Sequence, residues 1–365
     1  MGQVNRFTSL FNPAFSFILD TVGDYTDNQR TRDGFDARLR VFELAANAWV
    51  DPNAWAYFIG AAEEESVNIE EAAIHYLGFG GHRTLRAGRF FVDFGKQMQL
   101  HVHELRTLER PLVLRAYLGD ESKGDGLQWD DWTSIGDSTA LRWSIGVFSS
   151  LLPEEEEDFD PETTAAQELA STKHGADFNY TARLTGFTDV GSSGTLQLGA
   201  SARAIPRYAF LYSPAANPDQ TDDDLSNVVY GLDLTYGWVG DTGEQRWTTG
   251  VEALANTGDN GANIDQTTQT LNPSFDDDVL GYVAWTDYQF NRYHSVGAQF
   301  SALELPDGNK SDESEVEVFY SRQLSEYLRM RLVVSDFESD ANDDALRVAV
   351  QLTAILGTHG HGLNW

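Results

Sequence analysis

Apolar and polar residues alternate in many short runs along the chain, and the run nearest the C-terminus shows the pattern most clearly. Six apolar side chains occupy alternate positions there: Leu346, Val348, Val350, Leu352, Ala354 and Leu356. The positions between them are Arg347, Ala349, Gln351 and Thr353. Because successive side chains of a strand point to opposite faces, this run predicts a strand with one apolar and one polar face. In a transmembrane barrel the apolar face contacts lipid and the polar face lines the interior.

Similar runs recur from the N-terminal region to the C-terminus. They predict strands at residues 14–25, 35–50, 54–64, 67–78, 83–93, 125–131, 139–149, 177–188, 194–204, 227–238, 245–256, 278–289, 292–304, 314–322, 327–337 and 345–356. An even strand number is typical of bacterial single-chain barrels, and no linker divides the sequence. We therefore predict an all-β fold, in which residues 1–365 form a single closed antiparallel transmembrane β-barrel of about 16 strands.

The connections between these runs are alternately short and long. The short ones carry the Gly, Asn and Asp residues that tight turns require, and the long ones cover 26–34, 94–124, 150–176, 205–226, 257–277, 305–313 and 338–344. This asymmetry predicts short periplasmic turns and long outer loops. Aromatic residues near the short turns predict one interfacial girdle: Trp49, Trp55, Trp129, Trp132, Trp238, Trp247, Tyr288, Tyr293 and Tyr327.

The composition narrows the functions that remain open. The chain has a formal net charge of −32 and no cysteine, which excludes disulfides and thiolate metal sites and argues against nucleic-acid binding. Acidic residues concentrate in the long loops, for example at Glu154–Glu157 and Asp222–Asp224. They form either a solvated or salt-adapted surface, or a negative mouth that concentrates cations or holds Ca²⁺ and Mg²⁺ bridging to anionic lipid headgroups.

The predicted interior faces carry charges of both signs. The arginines are Arg142, Arg183, Arg203, Arg329, Arg331 and Arg347, and the acids are Asp233, Glu252, Glu315 and Glu317. Two interpretations are open. Opposite charges across a narrow pore create a field that filters solutes, or the charges simply pair with one another, as enclosed charges usually do.

Residues 94–124 are too apolar for a free surface loop and are predicted to fold into the barrel as its constriction. Leu105, Leu108, Leu112 and Leu114 would cover the inner wall. The side chains expected in the channel are His101, His103, Glu104, Arg106, Glu109, Arg110 and Arg115.

Histidines in this loop and in the C-terminal tail suggest metal binding. His101 and His103 share a face if the segment is extended, and Glu104 is adjacent. Imidazole and carboxylate together suit Zn²⁺ and related ions, and a second pair, His359 and His361, follows the last strand. The sequence leaves open whether the pairs meet or bind metal. We expect no required cofactor, with Zn²⁺ or Ca²⁺ as the candidate ions.

Several segments resemble Gram-negative outer-membrane porin-like barrels, distantly similar to the phosphate-selective and general porins. They are Asn12–Asp20, Ala87–Phe91, His101–His103, Pro111–Ala116, Asp125–Trp129 and Gln351–His359. The resemblance implies an outer-membrane channel in a family connected with metal uptake, usually a homotrimer. The chain has only four lysines, Lys96, Lys123, Lys173 and Lys310, which argues against phosphate selectivity.

We therefore expect an outer-membrane porin for small solutes, favouring cations or divalent metal ions, with outer-membrane lipid and lipopolysaccharide as its surroundings. The alternatives are a structural barrel that docks a periplasmic or surface partner, and a soluble acidic β-protein. We expect no enzyme activity, since a hydrolase needs a Ser/His/acid constellation and only His174, near Ser171 and Asp177, suggests one.

Overall fold

Sixteen long antiparallel strands form one closed barrel. The computed structural model describes residues 13–27, 34–63, 66–151, 166–168, 174–213, 218–260, 263–265, 268, 270–272 and 275–357. The barrel strands are β1 (Ala14–Asp27), β2 (Gly34–Asp51), β3 (Ala54–Ala62), β4 (Val67–Tyr76), β5 (Thr84–Phe91), β6 (Lys123–Ile135), β7 (Thr139–Phe148), β8 (Asn179–Val190), β9 (Gly194–Tyr212), β10 (Gln220–Val239), β11 (Arg246–Asn260), β12 (Val279–Asn291), β13 (His294–Glu304), β14 (Asp312–Gln323), β15 (Leu328–Ser339) and β16 (Ala345–Gly357). Each strand pairs with the next along the chain. β16 also pairs with β1, from Gly357 opposite Ser16 to Leu346 opposite Asp27, and this pairing closes the barrel.

The long connections contain four further short strands among the described residues, Ala166–Glu168, Asn263–Asp265, Thr270–Asn272 and Phe275–Asp276. No helix in the part of the chain that the structure describes is long and apolar enough to cross a membrane.

The outer face of the barrel is apolar and the inner face is polar. In β16, Leu346, Val348, Val350 and Leu352 are 40–47% exposed, whereas Gln351 and Thr353, at alternate positions, are buried. The same alternation in β10 exposes Leu232 and buries Asp233. A closed barrel with an exposed apolar band is the arrangement of outer-membrane barrels, which have no free sheet edge in lipid. The predicted fold class is thus confirmed.

Aromatic side chains do collect on the outer face at the short-turn end, although not every predicted member is there. Trp238, Trp247 and Tyr288 are directly opposed on three neighbouring strands, in the outward register of Leu232. The prediction that Trp49 and Trp55 belong to this girdle is wrong. They are opposite each other on β2 and β3, and Trp55 is two residues from the buried Tyr57, so both lie on the inward face of their strands. Trp55 stacks on the Tyr57 ring, with centroids 5.2 Å apart.

The loop between β5 and β6 folds into the barrel, as predicted. The four leucines predicted to cover the inner wall are all buried: Leu105, Leu108, Leu112 and Leu114. The loop contains a 3-10 turn at Val102–Glu104 and a short helix, α1 (Leu112–Leu118). Its apolar side chains pack against inward residues of the wall such as Phe148 and Trp285. The hydrophobic core therefore lies inside the barrel, between loop and wall.

The hairpin of β9 and β10 is longer than predicted. Residues 205–226 were expected to be loop, but β9 continues to Tyr212 and β10 begins at Gln220. The pairing shifts between Ile205 and Tyr208, next to Pro206, which has no N–H to donate to the ladder. Tyr208, Phe210 and Leu225 form a small apolar cluster that supports the extension.

Candidate functional site

The candidate site is the segment from Val92 to Ser122, which we call the constriction loop, together with the inner wall that it contacts. The chain leaves β5 and turns at Gly95, whose φ of 57° is left-handed. The Gly95 N–H donates to Ser201 Oγ at 3.1 Å, and the Lys96 N–H donates to Glu252 Oε1 at 2.9 Å. A Cβ on residue 95 would lie 2.2 Å from Glu252 Oε2, so glycine allows both the turn and the close approach of this carboxylate.

Asp93 attaches the start of the constriction loop to a group that we call the arginine wall: Asp130, Arg142, Arg183 and Asp233. Asp93 Oδ2 lies 2.8 Å from Arg142 Nη1 and accepts a hydrogen bond from Ser144 Oγ at 2.6 Å. Arg183 Nη1 lies 2.8 Å from Asp233 Oδ2, and Arg142 also pairs with Asp130. All these carboxylates and guanidinium groups are buried. This side of the interior is a network of paired permanent charges.

The middle of the loop meets a second group, which we call the histidine cluster: Glu43, Glu70, Glu71, His101 and His103. His101 Nδ1 lies 2.7 Å from Glu70 Oε2, and His101 Nε2 lies 2.9 Å from Glu71 Oε1. His103 Nδ1 lies 2.8 Å from Glu43 Oε1. No member is more than 4% exposed.

A β-bulge explains how two successive glutamates reach one imidazole. In the pairing of β3 with β4, Ile59 is opposite Glu71 while Gly60 is opposite Ile69, so Glu70 is an extra residue. Successive residues of a regular strand face opposite sides, but a bulge resets this alternation. Both Glu70 and Glu71 are consequently buried on the inner face.

The geometry of His101 restricts what the histidine cluster can hold. Both ring nitrogens face carboxylate oxygens, and a ring can donate to both only as an imidazolium. A metal ion at one nitrogen is the other arrangement that satisfies the carboxylates. One ligand atom each from Glu43, Glu70 and His101 lie within 4.8 Å of one another, which is the spacing of a candidate metal centre.

Of the predicted metal ligands, His101 belongs to the group of three candidate ligand residues, and His103 contacts another member of that group, Glu43. Glu104 is not in that group, and its Oε2 atom accepts a hydrogen bond from the His101 backbone N–H at 3.3 Å. His359 and His361 lie outside the described residues.

Several predicted channel residues instead hold the loop in place. Arg110 is buried and donates to the carbonyl oxygens of Gln97, Met98 and Leu100 at 2.9–3.0 Å. It therefore stabilises the fold of the loop and does not face a channel.

Three of the arginines predicted to face the interior bind backbone carbonyls of the same loop. Arg203 donates to the Leu118 and Tyr117 carbonyls, at 3.1 and 2.9 Å, and so satisfies acceptors at the end of α1. Arg331 donates to the Leu105 carbonyl at 2.7 Å, and Arg329 donates to the His103 carbonyl. We expected these arginines to filter solutes or to pair with acids. The structure shows that they also anchor the constriction loop to the wall.

Charged side chains on the far side of the loop form a separate set of ion pairs. Glu109 Oε1 lies 2.8 Å from Arg347 Nη1, and Glu109 Oε2 lies 3.3 Å from Arg40 Nη2. Arg115 Nη2 lies 2.7 Å from Glu315 Oε2. Burial raises the pKa of Glu109, but the charges of Arg40 and Arg347 outweigh it and lower this pKa to about 2.

A cavity of about 290 Å³ lies inside the barrel, beside the constriction loop and towards the short turns. Loop residues Glu104 and Arg106 line it together with Asp287, Arg329 and Arg331 of the wall. A smaller cavity of about 80 Å³ adjoins Asp93, Lys96, Arg142 and Arg183. Both cavities carry charges of both signs, as expected of an interior that meets polar solutes.

Among the described residues, His174 and Asp177 do not form part of a Ser/His/acid catalytic triad. His174 is exposed, and its backbone N–H donates to Asp177 Oδ2 at 2.5 Å, which is a local cap of the turn Gly175–Asp177. Ser171 is outside the described residues.

Comparison with known proteins supports the fold. No family profile matches the chain, and no curated protein sequence does. The anion-selective porin from Comamonas acidovorans is similar in structure, with a TM-score of 0.58, 10% identity, and coverage of 95% of this chain and 99% of that one. OprB of Pseudomonas putida gives a TM-score of 0.59 at 10% identity, covering 95% and 94%.

The in-vitro folded OmpT of Vibrio cholerae, an outer-membrane protein described in a trimer form, gives a TM-score of 0.58 at 10% identity, covering 95% and 100%. At such low identities these likenesses show the fold and nothing finer. The fold is that of Gram-negative outer-membrane barrels, and the apolar outer band fits that location.

Proposed function

We propose that this barrel is an outer-membrane channel for the diffusion of small solutes. The observation that carries the proposal is the constriction loop, which folds into the interior of a closed barrel and borders cavities lined by charges of both signs. A loop in this position reduces the cross-section to a narrow charged passage, which selects solutes by size and charge. The structural neighbours named as porins support the same general role.

Within that role we propose a preference for cations, including divalent metal ions such as Zn²⁺ or Ca²⁺. The formal net charge of −32 supports this preference, because an acidic surface raises the local concentration of cations. Described acids at the long-loop end include Asp222, Asp312 and Asp340. Metal uptake is the physiological use that this preference would serve.

The partners that we propose are outer-membrane lipid and lipopolysaccharide around the barrel, small solutes or ions within it, and two further copies of the chain in a homotrimer. The trimer described for OmpT of Vibrio cholerae supports the oligomer. Sedimentation of the detergent-solubilised barrel tests it, since a monomer mass at all concentrations would contradict a homotrimer.

Planar-bilayer recording tests the channel directly. Purified protein should produce stepwise currents, and reversal potentials in KCl, ZnCl₂ and CaCl₂ gradients should have the sign of a cation-selective pore. Anion selectivity would contradict the preference. A correctly folded barrel that produces no current and co-purifies with another protein would contradict the channel and favour a structural docking barrel.

A further inference from the structure

We propose that Glu43, Glu70 and His101 form a binding site for one divalent transition-metal ion of the Zn²⁺ class, which fastens the constriction loop to the barrel wall. The inference deepens the proposed function, and it rests on that function only for its physiological use. Two of the three residues, Glu43 and Glu70, come from the wall, and His101 comes from the loop.

The distances suit such an ion after small side-chain rotations. His101 Nδ1 lies 2.7 Å from Glu70 Oε2 and 4.0 Å from Glu43 Oε2. Zn²⁺ binds imidazole nitrogen and carboxylate oxygen at about 2.0–2.2 Å, so neighbouring ligand atoms of a tetrahedral site are about 3.4 Å apart. The distance from His101 to Glu70 must therefore lengthen and the distance from His101 to Glu43 must shorten, each by about 0.6–0.7 Å. Rotation of the two glutamate side chains allows both changes.

Two of the three proposed ligands, His101 and Glu43, already have an outer partner that would orient them. The other ring nitrogen of His101, Nε2, lies 2.9 Å from Glu71 Oε1, and Tyr57 donates its hydroxyl proton to Glu71 Oε2 at 2.7 Å. Glu43 presents its Oε1 atom to His103 Nδ1. A histidine that binds metal through one nitrogen and contacts a carboxylate through the other is the usual arrangement at zinc sites.

Charge also favours a cation at this position. Glu43, Glu70 and Glu71 are buried within 4 Å of two imidazoles. The carboxylates of the arginine wall instead contact guanidinium groups that are permanently charged. Buried carboxylates require a paired charge or a coordinated metal, and a divalent ion would supply two positive charges between Glu43 and Glu70, beside His101.

The ligand set selects the class of ion. An imidazole nitrogen with two carboxylates suits Zn²⁺ and neighbouring first-row ions, whereas Ca²⁺ takes six to eight oxygen ligands. We therefore expect Zn²⁺ to bind at this site and Ca²⁺ not to compete for it.

The test is titration calorimetry with ZnCl₂ on the full barrel in detergent, without an affinity tag. The background chain carries His359→Ala and His361→Ala, so that the tail pair contributes nothing. We expect one Zn²⁺ per chain. His101→Ala and the nearly isosteric Glu70→Gln should each weaken binding by more than about 100-fold, since outer partners alone usually change affinity about 10–100-fold.

His294→Ala is the matched control, because His294 contacts Tyr320 on the other side of the barrel, with Nδ1 2.7 Å from the hydroxyl oxygen. It should leave Zn²⁺ affinity unchanged, and an excess of CaCl₂ should not displace the Zn²⁺. Binding of Co²⁺ should give the visible absorption of a four- or five-coordinate ion with nitrogen and oxygen ligands, which Glu70→Gln should remove.

Absence of Zn²⁺ binding in the background chain would overturn the site, as would equal affinity in the folded Glu70→Gln variant. Circular dichroism verifies that each variant has folded. A barrel that conducts ions without binding Zn²⁺ refutes this site alone, whereas a barrel that binds Zn²⁺ without conducting refutes the channel alone.

Discussion

The arginine wall and the histidine cluster hold the same loop by different chemistry. At the arginine wall, Asp93 contacts the guanidinium groups of Arg142 and Arg183, which stay charged at every accessible pH. At the histidine cluster, His101 contacts Glu70 and Glu71, and both imidazole and carboxylate can exchange a proton or bind a metal ion.

The two contacts therefore have different roles in holding the constriction loop. The arginine wall fixes the beginning of the constriction loop permanently, because a buried guanidinium–carboxylate network has no easy alternative state. The histidine cluster is the adjustable attachment, because its groups can exchange a proton or bind a metal ion.

The largest expected effect comes from breaking the rigid side with Asp93→Asn. Arg142 and Arg183 would then share fewer buried carboxylates, and removal of one partner of a buried ion pair costs about 3–5 kcal/mol. Urea unfolding of the barrel should show a loss of this order. Asp241→Asn, in an exposed short turn, is the control, and equal stability of the two variants would contradict the rigid anchor.

A smaller loss is expected from Arg110→Lys, which keeps the charge but not the planar fork. A lysine ammonium keeps the charge and can still bind part of the set of three carbonyls that Arg110 binds, so we expect the net loss of about one hydrogen bond to a charged group, about 1.5–3 kcal/mol. Amide hydrogen exchange of residues 97–121 should accelerate while that of the strands stays constant. Uniform exchange across both regions would show that Arg110 does not act locally.

His103→Ala should destabilise the adjustable side by about 1–2 kcal/mol, because Glu43 loses a hydrogen-bonded partner. His101 Nδ1 remains 4.0 Å from Glu43 Oε2, which limits the loss. The measurement is urea unfolding in metal-free buffer with His294→Ala as control. If His103→Ala lowered the unfolding free energy as much as Asp93→Asn does, the histidine cluster and the arginine wall would not differ as attachments of the loop.

The smallest effect is expected at Glu109, whose side chain is about one third exposed. Its pKa is lowered from 4.5 to about 2, so its contribution is fully present above about pH 4.5 and disappears as the pH falls through about 2. Glu109→Gln should cost less than about 1 kcal/mol at neutral pH. The difference in unfolding free energy between this variant and the native chain should shrink as the pH falls towards 2 and vanish below it, and a constant difference from pH 7 to below pH 2 would contradict this assignment.

The alternation of residues was enough to predict the barrel, because each strand has one face in lipid and one inside. The same rule failed at β4, where the bulge turns both Glu70 and Glu71 inward. A signal was present: Ile69 and Ile74 are both about half exposed, yet they are an odd number of residues apart, which a regular strand does not allow. A break in the period of two could therefore have located the site.

The partners of the loop could not be predicted from sequence. His103 and Glu43 are 60 residues apart, and only the closure of the barrel and the path of the loop bring them together. The chemistry of the loop was visible as His101-Val102-His103, but local spacing pointed to Glu104 and not to the three wall glutamates. Arg110 was likewise misassigned, because its carbonyl partners depend on how the loop folds back on itself.

Single-channel conductance of a loop deletion measures whether the constriction loop narrows a channel. Replacement of residues 97–121 by a short Gly-Ser linker removes His101, His103 and α1 while leaving all sixteen strands. If the loop constricts a channel, the native chain conducts and the deletion variant conducts with a several-fold larger step. Equal conductance of the two, or a folded deletion variant that passes no current, would contradict the account.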